Sequence, residues 1–485
     1  MPEAAKSAAP PLVSIPLHRV IAIVLLVGGV VRLIALASLP LIVTNDGTEY
    51  AYMAHGLREG RMTVARPDRT PGYPAMIAAT HWVLGDGAVP IRIMQHVLGL
   101  AACAALAWAA ARVSGPVAGL VVGLLAALDP WLLGFECYLL TETPATAGFV
   151  LIASLTIVPW RRPMLRCAVV GLALAALCLV RPSFQIVVPF LLAAAALPGA
   201  GVSWRSLGRL AVGGAAFVAG VAPWAVHNYQ ASGSFALARG SGAHLFSGVA
   251  RAGLLDESFE LPANIRAAYA PYAGKPMGDS EYWAFFKAIG GLDQSEPLLK
   301  NWAIASIRAN LPGYLTAVRH SLAWQLNAAF AGSPIGDDEL REYMLRVTQA
   351  GDGRHHEAGE GVGYLESLRQ SAEGGGVRPI LRSVYARAPR TWPQVPLAAA
   401  ALLLLLVAAI RRQAALFWVL AGTFAFVVFH ALFLFPNARY AMPVWIFWYL
   451  GPPVIVQWIV AAGVRGRRAR TAEGECAATR DTSKQ

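Results

Sequence analysis

Charged side chains are scarce in this chain, and those that could act together sit in short polar stretches between apolar runs. The first stretch is TNDGTEYAYMAHGL at 44–57, where Asp46 and Glu49 precede a helix-compatible segment starting at Tyr50. A carboxylate there can cap a helix, because the N-terminal dipole favours negative charge. It can also act as a base, provided it reaches the proton of an incoming hydroxyl. Asp68 and Arg69 follow, just before the turn Pro71-Gly72-Tyr73-Pro74. An arginine can grip phosphate through two parallel donors; the plainer role is snorkelling to lipid head groups. The stretch DPWLLGFECYLLTE (129–142) carries Asp129, Glu136 and Glu142. Glu142 lies at the edge of an apolar segment, where an ionisable group is costly and marks a functional candidate; helix capping by Thr141 and Glu142 is the alternative.

Arg32 lies inside the first apolar run, Arg181 between two others, and Arg439 ahead of the last, after Pro436 and Asn437. Arginines converging on one leaflet would make a monophosphate or diphosphate site, whereas each alone could simply anchor the interface beside Tyr and Trp. His227 and Asn228, in PWAVHNYQASGSF, stand where another run ends; the histidine could bind phosphate or shuttle protons, or face water. His355, His356 and Glu357 lie in a Gly-rich stretch without the spacing of a helical metal site and are set aside. The five cysteines show no CxxC spacing, which argues against a zinc or disulfide framework. The absence of GxxxxGK[ST] and GxGxxG argues against an ATP-driven pump.

The elements that must position these residues follow from composition. The chain has 485 residues, 56% hydrophobic and 14% charged, with a mean hydropathy of +0.51. Soluble domains carry about 25% charged residues, so a soluble enzyme, a disordered chain and a fibre are excluded. Ten apolar segments stand out, at 17–40, 88–111, 115–133, 141–158, 165–180, 183–198, 207–226, 394–410, 413–433 and 440–461. No small-residue cleavage site closes the first of them, so it reads as a span. Segment 71–85 reads as a helix lying at the interface.

Charge gives the orientation. With a cytoplasmic N-terminus and ten alternating spans, the inside holds 16 bases and four acids, while the remaining positions hold 24 of each. The net +12 is therefore topology, the positive-inside bias, rather than a sign of nucleic acid. Four regions follow: a seven-span module at 1–226, with an outer loop at 41–87; a large extracytoplasmic region at 227–393, too long for a connection; a three-span module at 394–462; and a basic cytoplasmic tail at 463–485. Within 227–393, residues 296–331 have helical spacing broken at Pro312, and 350–378 is Gly-rich.

Taken in order, these pieces resemble the polytopic glycosyltransferases of the GT-C type, in particular the bacterial relatives of protein mannosyltransferases and of the aminoarabinose transferases that modify lipid A (glycosyltransferase families 39 and 83). The matching pieces are Asp46, Tyr50 and Ala54 in NDGTEYAYMAHGL, RTPGYP at 69–74, LLTETP at 139–144, LVRP at 179–182, PWAVHNY at 223–229 and NARYAMPVW at 437–445. They span about 30 to 450; the stretch 230–390 matches least.

The resemblance implies an all-α polytopic membrane protein of about ten transmembrane helices, N-in and C-in, with outer-leaflet interfacial helices and one large extracytoplasmic α-rich domain. It implies a hexosyl- or pentosyltransferase in the bacterial inner membrane, with its site facing the periplasm. The donor would be a polyprenyl-phosphate-linked sugar, and the acceptor a hydroxyl or phosphate on a lipid, glycan or protein. Asp46 matches the first-loop aspartate that serves as base or orients the acceptor, and Glu142 the acid opening the fourth span. Asp68 and Arg69 match an acidic-basic pair whose basic member faces the donor phosphate. Arg181, Arg439 and His227 are further phosphate ligands on this reading, with Glu49, Asp68, Tyr73 and Asn228 supporting. Gly47 departs from relatives that carry a second acid directly after the aspartate; Glu49 is near but out of register, which leaves a divalent cation open. The competing readings are a transporter or flippase of lipid-linked sugars, expected to show polar mid-membrane helices in paired halves, and a lipid-binding protein without catalysis.

Overall fold

The computed structural model describes residues 15–460 apart from 40, 44, 61–68, 159, 198–201, 291, 328–393 and 435–440, together with Gly463. Asp68, Arg439, the 328–393 stretch with His355 and His356, and the tail from 464 lie outside the described residues.

Among the described residues eighteen α-helices follow one another: α1 (Leu17–Ser38), α2 (Asn45–Arg58), α3 (Gly72–Leu84), α4 (Ala88–Ser114), α5 (Pro116–Ala127), α6 (Pro130–Phe135), α7 (Glu142–Ile157), α8 (Pro163–Val180), α9 (Val188–Ala196), α10 (Trp204–Ser232), α11 (Ser241–Arg251), α12 (Ala263–Tyr269), α13 (Asp279–Ala288), α14 (Leu292–Ala309), α15 (Leu311–Asn327), α16 (Gln394–Ile410), α17 (Ala414–Leu432) and α18 (Met442–Val460). Six of them, α1, α4, α8, α10, α17 and α18, are long and apolar enough to cross a membrane; α5, α7, α16 and the stretch Pro182–Ala196 ending in α9 are shorter apolar helices. Each of the ten apolar segments of the sequence thus contains an apolar helix, although 115–133 breaks after α5 and continues into α6. Among the described residues there is no β-sheet, only an isolated bridge between Ile42 and Tyr138.

The apolar helices share one core, in which α4 packs on α1, α5 and α7, and α8 on α10. Many of them leave large apolar side chains exposed, among them Leu26, Leu33, Val97, Leu172, Leu406 and Ile459. Apolar surface on that scale suits lipid rather than water as surroundings.

Buried polar groups divide the bundle's two ends. At one end Arg166 donates to the carbonyls of Ala195 and Val158, Arg411 lies 4.4 Å over the Trp458 ring, and Gln457 sits against Gly115. At the other, Ile42 pairs with Cys137 and Leu139, Asp129 caps α6 and accepts from the Tyr449 hydroxyl, and Tyr314 donates to the Leu432 carbonyl. Asp129 is therefore a structural cap joining segments 320 positions apart.

The 41–87 stretch holds two helices: α2, which starts at Asn45 rather than at Tyr50, and α3, where the interfacial helix was expected. The break expected at Pro312 falls at Asn310, because proline fits the first turn of a helix, where its missing N–H is not needed. Helices α11–α15 bury a second core around Phe246, Phe285, Trp302 and Tyr269. Glu296 of α14 receives the Gly240 and Gly242 amides at the N-terminus of α11.

Candidate active site

Local geometry brings the acids of the first polar stretch together. Asp46 and Glu49 are three residues apart on α2, nearly one turn, so both side chains share a face. Arg69, just ahead of α3, reaches both: Nη2 is 2.7 Å from Asp46 Oδ1, and Nε is 2.6 Å from Glu49 Oε2. Its guanidinium lies 5.2 Å from the centroid of the Tyr50 ring, with Nη1 3.4 Å from the hydroxyl. The carboxylates differ in access: the Asp46 side chain is 27% exposed and that of Glu49 5%. Asp46 is the one that can meet an incoming molecule.

A second pair lies in the loop ends beneath. Glu142 opens α7 with its side chain fully buried, and its Oε1 is 2.9 Å from Nη1 of Arg181, which follows α8. The same Nη1 donates to the Thr141 hydroxyl at 3.2 Å. Thr141 makes no side-chain capping bond to α7, so ion pairing, not capping, accounts for this charge.

Two glycines let the pairs meet. A Cβ on Gly47 would lie 2.7 Å from the Leu139 carbonyl oxygen, and one on Gly72 would lie 2.5 Å from the Leu179 main chain. Helix α2 therefore rests on the main chain three residues before Glu142, and α3 on the main chain two residues before Arg181. Tyr50 is where the pairs converge. Burial pushes its phenol above the ordinary value, and Arg69, Asp46, Glu142 and Arg181 all act on it electrostatically.

Tyr73 joins this group through its ring, set edge-on to Tyr50 at 5.3 Å, while its hydroxyl donates to Gln95 at 3.0 Å. His227 and Asn228 stand at the end of α10. The His227 ring stacks at 5.0 Å on Trp224, and the Asn228 amide donates to the Ala236 and Leu237 carbonyls. Arg32 does not converge with Arg69 and Arg181: it is buried against Glu136, at 2.6 Å, and the pair neutralises itself.

No protein-family model matches the chain, and no curated protein matches it. Solved structures do. ArnT from Cupriavidus metallidurans bound to undecaprenyl phosphate is 11% identical, with a TM-score of 0.37 over 88% of this chain and 77% of that one. The apo oligosaccharyltransferase of Archaeoglobus fulgidus is 11% identical, with a TM-score of 0.44 over 94% of this chain. The chain spans only about half of that protein, 52%. Its complex with Zn and sulfate gives 11% identity and a TM-score of 0.41, over 92% and 51%.

Among the described residues no three His, Cys, Asp or Glu side chains are grouped so as to hold a metal ion. The two nearest carboxylates, Asp46 and Glu49, are both engaged by Arg69, and Gly47 has no room for a third. This donor set does not fit a divalent cation as it stands. Tyr50, which the sequence offered only as a motif match, and Thr141, offered only as a helix cap, are participants in this group. The signal for Tyr50 was its position four residues after Asp46, which puts both on one helical face; nothing in the sequence pairs Thr141 with Arg181.

Proposed function

We propose that this protein is a glycosyltransferase that moves a sugar from a polyprenyl-phosphate donor to an acceptor at one face of a membrane. The observation that carries this reading is the meeting of two guanidinium–carboxylate groups, Arg69 with Asp46 and Glu49, and Arg181 with Glu142, at Tyr50 on one end of an apolar bundle. A lipid-linked donor needs apolar helices for its chain and fixed positive charge where its phosphate departs. The likeness to GT-C motifs along the sequence supports the same reading.

On this reading Arg69 and Arg181 bind the donor phosphate. Arg69 exchanges Asp46 for a phosphate oxygen, which frees the more exposed carboxylate to face the acceptor. The acceptor oxygen then attacks the sugar's anomeric carbon, the bond from that carbon to the phosphate oxygen breaks, and the electron pair leaves with the phosphate. Asp46 takes the acceptor proton. Glu142 holds Arg181 in place, Glu49 holds Arg69, and Tyr73 supports Tyr50. Arg439 and His227 are further donor-side ligands in this scheme, with Asp68 and Asn228 supporting. One carboxylate is enough for a hydroxyl acceptor, unlike the pair a glycoside hydrolase uses, and no step is routed through a metal. The site would face the cell exterior.

The test is transfer of radiolabelled sugar from polyprenyl-phosphate donors by the purified protein, with and without chelator, and with Asp46→Asn as control. Transfer that depends on Asp46 and survives chelation is expected. No turnover of any common donor by folded protein would favour lipid-linked-sugar transport instead.

A further inference from the structure

A second charged cluster is buried next to the site without belonging to it. The Glu136 side chain is fully buried, with Oε1 2.6 Å from Arg32 Nη2 and Oε2 2.6 Å from His96 Nδ1. Helix α4 makes room for it at Gly99, where a Cβ would fall on the carboxylate itself. Arg32 also donates to the Gly28 and Ala127 carbonyls, tying α1 to the end of α5. Desolvation offsets most of the attraction in such a pair, so it adds little stability; what it can fix is one arrangement of the chain.

What Glu136 fixes is the segment 136–142, on which the candidate site rests. Its main-chain carbonyl accepts from the Gln95 amide at 3.1 Å, and the Gln95 oxygen accepts from the Tyr73 hydroxyl at 3.0 Å. Tyr73 in turn meets Tyr50, over which Arg69 lies. One residue on, the Cys137 carbonyl accepts from the Ile42 amide at 2.7 Å, and the Leu139 amide donates back to Ile42 at 2.9 Å. This pairing sets the chain just ahead of Asp46; Leu139 is the seat of Gly47, and Glu142 closes the segment.

Resting on the function proposed above, we propose that Arg32, Glu136, His96 and Gln95 are positioning residues: the buried cluster holds segment 136–142, which registers Asp46 and Arg69 against Glu142 and Arg181.

The test uses the purified full chain, comparing Arg32→Met/Glu136→Leu with wild type. Apolar replacement of a buried pair is often neutral for stability, so the melting temperature should hold. The Ile42 and Leu139 amides should exchange hydrogen faster, and kcat should fall about a hundredfold with donor KM little changed, as for a site displaced by about 1 Å. Wild-type kcat, or lost transfer with unchanged exchange, overturns the proposal. Should the double variant fail to fold, Gln95→Leu cuts the Tyr73 link while leaving the ion cluster, and the same split is expected; wild-type kcat there overturns it too. A wild type that transfers nothing sinks the proposed function, and the exchange of Ile42 and Leu139 then decides the positioning role alone.

Discussion

Gly47 lies against Leu139 so closely that a Cβ would stand 2.7 Å from the Leu139 carbonyl oxygen. That contact explains why the acid next to Asp46 is missing: no side chain fits there. The second carboxylate comes instead from Glu49, nearly a turn along the same helix, and both acids share one guanidinium.

Gly47→Asp should therefore not restore an acid pair. Forcing a side chain into the contact should cost about 1–3 kcal/mol and lift α2 off the 136–142 segment. Thermal unfolding would detect the loss, and Gly47→Ala should show most of it, because the clash begins at Cβ. A Gly47→Asp protein as stable and as active as wild type would refute the close approach.

The fold was legible where physics is local. Ten apolar runs gave ten apolar helices, six of them long and apolar enough to cross a bilayer. Asp46, Glu142 and Arg181 stood out because charge at the edge of an apolar run is costly. Pairings across the chain were not legible. Arg32 looked like one more phosphate ligand and Glu136 like part of an outer turn, yet they bind each other across 104 positions. Glu49 looked out of register because linear alignment ignores helical pitch, which puts it beside Asp46.

Arg69→Lys should fail as a replacement. A lysine presents one compact charge, whereas the guanidinium serves Asp46 and Glu49 through separate N–H groups. Losing a charge-assisted hydrogen bond costs about 1.5–3 kcal/mol, so donor affinity should fall about ten- to a hundredfold with acceptor affinity less affected. Titration of each substrate against Arg69→Lys and Arg69→Ala checks this; equal losses for donor and acceptor would remove the phosphate role.

The Glu142–Arg181 pair lends itself to a double-mutant cycle. Either single change, Glu142→Gln or Arg181→Met, leaves a charge with its partner gone at a site where the side chains are 0% and 9% exposed. Each should cost about 3–5 kcal/mol. The double variant should recover part of that loss in stability but not in transfer. Strict additivity of the two losses would mean that the pair is not coupled.

Ser258, exposed between α11 and α12, reports on orientation. Its side chain bonds only locally, to Asp256, so Ser258→Cys should fold normally. A membrane-impermeant maleimide should label it on intact cells. Labelling confined to permeabilised cells would reverse the N-in topology that the charge distribution implies.

His81 gives the protein a pH dependence apart from chemistry. Its side chain is buried in α3, with Nε2 3.1 Å from the Gly87 carbonyl and Nδ1 3.9 Å from Asp86. Burial pushes the imidazole below its ordinary value of about 6.5, and Arg58 adds to that; the Gly87 bond and Asp86 oppose it. The unfolded chain therefore takes up the proton first. Its contribution to stability is complete above about pH 6.5 and is lost as pH falls toward the lower folded value. Melting temperature should drop between pH 7 and pH 5, and His81→Gln, which keeps a donor for Gly87, should flatten that slope. Parallel profiles for wild type and variant would show that another group carries the dependence.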